Sequence, residues 1–285
     1  AKAKYNEIKN IYISSRLADT YLAKIKENLQ MASAFDPFES LYPFTLATAQ
    51  WFMQDKNKSL DLYQRASRLK PMEGAYLQRL GLMLTDGASS RILIEEGYAR
   101  AQNKDELSIN LAEWLLWKGH KEEAGRIVKE RLQARPVLIG RLLPFLESYE
   151  FSREEIAGIL PQSVDAWLAY GALREKMGDM EGAAFFTGNA LEYLGQAEQV
   201  RPEWFQQLIT FYTARGQKDR ALAILRQAVE VLPDSASFHI QLGQYYQNEG
   251  ILYRAKEEFE RALMLEPANE SAKSHLRRLG FADSY

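Results

Sequence analysis

The sequence predicts an all-α chain, a solenoid of antiparallel helix pairs closed by a C-terminal capping helix. Two observations predict it. Between Ala236 and Pro267, residues stand at fixed offsets: Leu242, Gly243, Tyr246, Ala255, Phe259, Ala262 and Pro267. Counting back from this stretch by 34 residues finds the same residue types at the same offsets, in the unit from Pro202. The offsets have a physical reason. Two short antiparallel helices approach closely only where one side is small, so Gly243 is expected to face the second helix and Ala255 the first. Leu242, Tyr246 and Phe259 fill the remaining space at helical spacing. Pro267 ends the second helix, because it lacks an N–H and clashes with the preceding turn. One such pair cannot bury its apolar faces alone, so neighbours are required.

The spacing resembles the tetratricopeptide repeat, whose 34-residue pattern runs W-x2-L-G-x2-Y, then A-x3-F, then P. With the second small slot at Ala262 included, seven of eight positions match, and His239 stands where the family has tryptophan. The resemblance implies a right-handed superhelix over residues 1–285, in which the first helix of every pair lines a concave groove.

Taken in order, residues 2–34 read as a long leading helix or a weakly broken pair, with Ile8, Ile11, Tyr12, Leu22, Ile25 and Leu29 as its apolar stripe. Lys2, Lys4, Lys9, Arg16, Lys24 and Lys26 make it basic, a pattern that fits a solvated face. Residues 40–71 form a unit through Leu46, Ala47, Ser59, Tyr63, Ala66 and Pro71. Residues 74–102 continue with Leu77, Leu80, Gly81 and Leu84, but Gly97 and Arg100 weaken the second helix. The next unit begins 31 residues later instead of 34, which predicts a short second helix. Residues 105–136 recover the register with Leu111, Ala112, Leu115, Ala124, Val128 and Pro136.

Residues 137–161 leave room for only two short helices, about 138–147 and 152–159. Ser152 and Glu155 form a capping-box signature at the second. Residues 164–195 resume the pattern, and a 38-residue spacing to the next unit predicts a longer second helix running through Leu194. Units 202–233 and 236–267 follow in period. Asn269 then caps a last helix, 269–280, which ends at Gly280.

Composition is that of an ordinary globular chain, 46% hydrophobic and 26% charged. A net charge of −2 gives no reason to expect nucleic acid as a partner. No apolar run approaches the roughly 18 residues of a membrane span, so any membrane link would run through a parent segment. The chain starts Ala1-Lys2-Ala3-Lys4, as a processed protein or a fragment would. Without cysteine it has no disulfide, thiol nucleophile or cysteine metal site. No HExxH, Walker, GxGxxG or GxSxG motif is present. His120, His239 and His275 fall in different units, and His239 reads as a packed histidine. The chain is therefore expected to be non-enzymatic, with no cofactor and no metal.

That leaves the groove. The family resemblance places ligand contacts at about the second, fifth, sixth, ninth, twelfth and thirteenth positions of each first helix. On this chain those slots give Gln206, Gln207, Thr210 and Thr213, then Gln241, Gln244, Gln247 and Asn248. Further toward the N-terminus, Arg79, Asn110, Glu113, Trp117, Thr48 and Trp51 fall at comparable slots. Amides and hydroxyls donate and accept at once, which suits an extended peptide or a polyhydroxylated glycan. One arginine and no lysine cluster disfavour the carboxylate clamp of the family's co-chaperones. Trp51, Trp114 and Trp117 are read as packing residues.

The function expected is a scaffold that binds a peptide or protein partner. A second resemblance gives an alternative. Phe35-Asp36-Pro37, Tyr42-Pro43 and the run from Arg141 through "LPQSVDAWLAYGALREKMGD" look similar to the soluble tail of bacterial O-antigen ligase or polymerase-type membrane proteins. That implies an extracytoplasmic, periplasmic domain recruiting partners or envelope glycan. A cytoplasmic assembly factor or chaperone is the other alternative.

Overall fold

The computed structural model describes residues 16–52 and 55–280, all helix and connecting turn. The part of the predicted leading helix before Arg16, with Ile8, Ile11, Tyr12, Lys2, Lys4 and Lys9, lies outside the described residues. The chain divides into two compact units, Ala1–Leu160 and Pro161–Tyr285.

The first unit opens with α1 (Arg16–Phe35), a single helix of 20 residues. Three pairs follow: α2 (Leu41–Phe52) with α3 (Lys56–Leu69), α4 (Gly74–Met83) with α5 (Gly87–Arg100), and α6 (Asp105–Trp117) with α7 (Lys121–Ala134). The first two pairs close on contacts between small residues. Ser59 is fully buried and its hydroxyl donates to the Ala47 carbonyl at 2.8 Å; Ser90 does the same to Gly81 at 2.8 Å.

The pair α4/α5 corrects one expectation. Its second helix is not short: α5 has 14 residues, and the residues missing from the period come out of α4, which has 10. Gly97 is what the sequence reading took for weakness. A Cβ there would stand 2.6 Å from both the Gln78 nitrogen and the Gly74 oxygen, so the two backbones meet at van der Waals distance.

A 3-10 turn (Pro136–Leu138) then leads into α8 (Ile139–Glu147) and α9 (Arg153–Ile159), the half-size pair. Leu142, Leu143, Leu146 and Ile156 are fully buried, so these short helices are held by packing. The capping box is complete: Ser152 Oγ accepts from the Glu155 N–H, and Glu155 accepts from the Ser152 N–H. The turn before it departs from the others. Glu150 has φ 59°, where Gly250 (φ 75°) sits in the corresponding turn of the last full pair. A side chain pays a steric penalty there that glycine does not.

The second unit holds α10 (Val164–Lys176) with α11 (Met180–Asn189), α12 (Pro202–Ala214) with α13 (Lys218–Val231), α14 (Ala236–Asn248) with α15 (Leu252–Leu265), and the closing helix α16 (Glu270–Arg278). Here too one expectation is corrected. The α-helix does not run through Leu194 but stops at Asn189 and tightens into a 3-10 segment, Ala190–Gln196. Tightening carries Leu194 into the core and lays Tyr193 beside Trp167, ring centroids 5.3 Å apart.

Gly243 faces its partner helix as its offset requires, since a Cβ would meet the Phe259 ring at 2.7 Å. Asn269 caps α16, its Oδ1 accepting from the Ala272 N–H at 3.1 Å. Ala272 and Leu276 turn inward, while Arg277 and Arg278 are exposed. This is the solvated end that a repeat array needs.

Candidate functional site: the open face of α10, α12 and α14

Helices α10 and α12 bury one stripe each and leave another open. Trp167, Leu168, Tyr170 and Gly171 of α10 go inward, as do Phe205, Leu208, Ile209 and Tyr212 of α12. The opposite stripes run through Ala169 and Ala172 on α10, and through Gln206, Gln207 and Thr210 on α12, all exposed. Between them lies a cavity of about 660 Å³, open along one side. Its floor is apolar, formed by Leu168, Phe211 and the alanines. Thr187 reaches it from α11 because Gly171 leaves space: a Cβ on Gly171 would stand 2.3 Å from the Thr187 hydroxyl.

Charge is confined to the two ends. At one end Asp165 accepts the Trp204 indole N–H at 2.8 Å and pairs with Arg201, whose guanidinium lies 4.6 Å from the Trp204 ring centroid. At the other, Arg215 pairs with Glu175 at 3.0 Å and stacks 3.5 Å from the Phe211 centroid. Glu203 adds an exposed carboxylate to the lining.

The site residues expected from sequence separate into three groups. Gln206, Gln207 and Thr210 line the cavity. Gln206 is also joined to α14: Gln241 Nε2 donates to its Oε1 at 2.9 Å. Gln244 and Gln247 are engaged locally, on either side of His275 of the closing helix. Gln244 lies 3.0 Å from His275 Nε2, and Gln247 Oε1 lies 2.9 Å from His275 Nδ1. Thr213 and Asn248 are exposed. Arg79 and Asn110 belong to the other unit. Asn110 donates to Gln78 at 2.9 Å, while buried Gln78 donates to the Leu107 carbonyl at 2.7 Å, so this amide pair fastens α4 to α6. Arg79 is half-buried, with its charge acting on the Tyr63 hydroxyl.

Sequence reasoning missed the α10 side of the cavity. Offsets two, five, six, nine and twelve counted from Val164 give Asp165, Leu168, Ala169, Ala172 and Glu175, and all five line it. The signal was there, but alanines do not announce a binding surface. The tryptophan reading divides. Trp114 is buried, at 7% exposure, and packs as expected; Trp117 is 62% exposed and does not pack.

Two histidines of this unit have both ring nitrogens engaged. His239 is buried, with Nδ1 2.7 Å from Glu258 and Nε2 2.9 Å from the Pro233 carbonyl. Both partners accept, so the ring donates twice as imidazolium. The hydrogen bond to Glu258 raises its pKa above the ordinary value, against the opposing effect of burial. His275 is shifted the other way, downward, by burial and then by the Arg278 charge. Neutral His275 with its proton on Nδ1 donates to Gln247 and accepts from Gln244. Among the described residues no group of three or more His, Cys, Asp or Glu could hold a metal ion, and no helix is long and apolar enough to cross a membrane.

Residues 236–269 match the tetratricopeptide repeat family model. That stretch is a tetratricopeptide repeat, and helix pairs of the same construction precede it. Solved structures it is similar to include the APC/C hetero-tetramer Cut9-Hcn1, with 13% identity and a TM-score of 0.35, covering 90% of this chain and 46% of that one. Another is YrrB, described as a TPR protein with an unusual peptide-binding site, with 13% identity and a TM-score of 0.30, covering 89% of this chain and 99% of that one. A third is the MamA protein, with 12% identity and a TM-score of 0.31, covering 80% and 92%. The chain thus spans under half the length of the Cut9-Hcn1 chain. No curated protein matches it.

Proposed function

We propose that this chain is a non-enzymatic scaffold that captures an extended segment of a protein partner on the open face of α10 and α12. The carrying observation is the cavity of about 660 Å³ with an apolar floor and neutral amide and hydroxyl walls. An extended peptide needs both: small pockets for alternate side chains and groups that donate and accept along its backbone. The floor is exposed alanine, so it is open without any core residue having to move. Peptide is favoured over glycan because the cavity floor is apolar, formed by Leu168, Phe211 and alanines. The envelope-glycan reading rests on the sequence resemblance and on amides and hydroxyls that suit either ligand.

The test is to fill the cavity without disturbing the core. Random peptides displayed on phage are selected on the immobilised full chain, then measured against Ala169→Trp and Gln207→Trp. Both side chains are exposed, so helical content should be unchanged while affinity for the selected peptides falls at least about tenfold, as expected when a central contact is blocked. Selected peptides that bind the Trp variants as tightly as the wild type would sink the proposal.

A further inference from the structure

Three polar side chains on the cavity between α10 and α12 have no partner within the fold. Thr187 is 4% exposed, yet it lines the cavity and its hydroxyl has no hydrogen-bond partner among the described residues. A buried hydroxyl left unpaired costs free energy, so a polar group brought by a ligand would complete it. Gln207 stands exposed on the wall with neither end of its amide engaged among the described residues. Glu203 is exposed at the rim, and among the described residues its carboxylate makes no ion pair or hydrogen bond.

The other charged groups around the cavity are satisfied within the fold. Asp165 accepts from the Trp204 indole and pairs with Arg201, whose guanidinium covers the Trp204 ring. Arg215 donates to the Phe211 carbonyl at 3.0 Å and to Glu175 at 3.0 Å. Three carboxylates against two guanidiniums leave one negative charge in excess, that of Glu203. Gln207 follows it four residues on along α12, and Phe211 of the floor eight residues on. At the rise of an α-helix these lie about 6 and 12 Å from Glu203 along the axis. Extended chain covers that span in about two to four residues.

We propose that the partner segment held on this face carries a lysine or arginine that meets Glu203, with an apolar side chain about two to four residues away over the floor. This rests on the peptide-capture reading above and adds the charge of the occupant to it. The argument is charge complementarity. A basic side chain at the rim pairs with the one carboxylate that the fold leaves unmatched, while an acidic segment would meet like charge there. A rim pair of this kind contributes little affinity but sorts partners by sign. Lysine and arginine both serve, because a single exposed carboxylate asks for charge and one donor.

Random peptides displayed on phage are selected on the immobilised full chain and, in parallel, on Glu203→Lys. The wild type should enrich Lys and Arg over the starting library. The reversed variant should enrich Asp and Glu at the same distance from the apolar residue. The tightest wild-type peptide is then synthesised with its basic residue and with a neutral one in its place, citrulline for arginine or norleucine for lysine. The basic peptide should bind the wild type about threefold more tightly than the neutral one, the scale of an exposed ion pair. Both should bind Glu203→Gln alike, since the cycle removes the pair from either side. Position 203 is exposed, so both variants should keep the helical content of the wild type. Ala169→Trp separates this proposal from the reading beneath it. Binding that is lost in Ala169→Trp but shows no preference for basic peptides leaves the cavity standing and overturns the basic-residue proposal. Peptides that bind Ala169→Trp as tightly as the wild type overturn both, as does a selection that yields no binder.

Discussion

His239 stands where the repeat family has tryptophan, and the substitution turns an apolar contact into a buried ion pair. Imidazolium is held between Glu258 and the Pro233 carbonyl, with the Arg261 charge opposing it. The folded-state pKa lies above the ordinary 6.5, so the stabilisation from this pair is complete below pH 6.5 and is lost as pH rises through the raised value. His275 has the opposite sign. Its lowered pKa makes the neutral folded form best above pH 6.5, and that stabilisation is lost as pH falls through the lowered value. Wild type and His239→Phe should therefore differ in melting temperature by an amount that shrinks as pH rises, and the acid-side decline set by His275 should persist in both. A difference constant with pH would mean that folding does not shift the His239 pKa.

At the scale of the element, the pair α4/α5 shows how a helix can look poor in sequence and be tightly packed. Gly97 lowers helix propensity by about 1 kcal/mol relative to alanine, yet a Cβ there would meet backbone atoms of α4 that cannot move aside. Gly97→Ala should destabilise the first unit by about 2 kcal/mol, the usual cost of overpacking. Gly158→Ala in α9 is the control. That glycine is exposed with nothing within 4 Å of a new Cβ, so the same change should stabilise by about 0.5–1 kcal/mol. Urea denaturation measures both, and equal effects would show that propensity alone governs them. Both glycines are legible as letters, but only their neighbours give them opposite signs.

At the scale of the whole molecule, stability in a repeat protein is a sum of local terms between neighbours. The closing helix α16 contributes through Leu276, 1% exposed, and Ala272, fully buried. Leu276→Ala should cost about 3 kcal/mol. Its loss of hydrogen-exchange protection should fall on α14 and α15, leaving α6 and α7 unchanged. Uniform loss across the chain would show that the units unfold together.

The sequence by itself determined the class of fold, because the packing of two helices is local. The offsets of Leu242, Gly243, Tyr246, Ala255 and Phe259 state which faces meet, and Asn269 with Gly280 states where the array ends. It also determined which residues of α12 and α14 lie on the open face, since helical periodicity fixes side. Tertiary structure decided what those residues do there. Gln244 and Gln247 are drawn to His275 from a third helix, Asn110 is spent on Gln78, and exposed alanines of α10 supply the cavity floor. Tyr149 of α8 reaches across to the Glu113 carboxylate of α6. Contacts between residues some 30 positions apart depend on how pairs stack, and no local pattern carries that information.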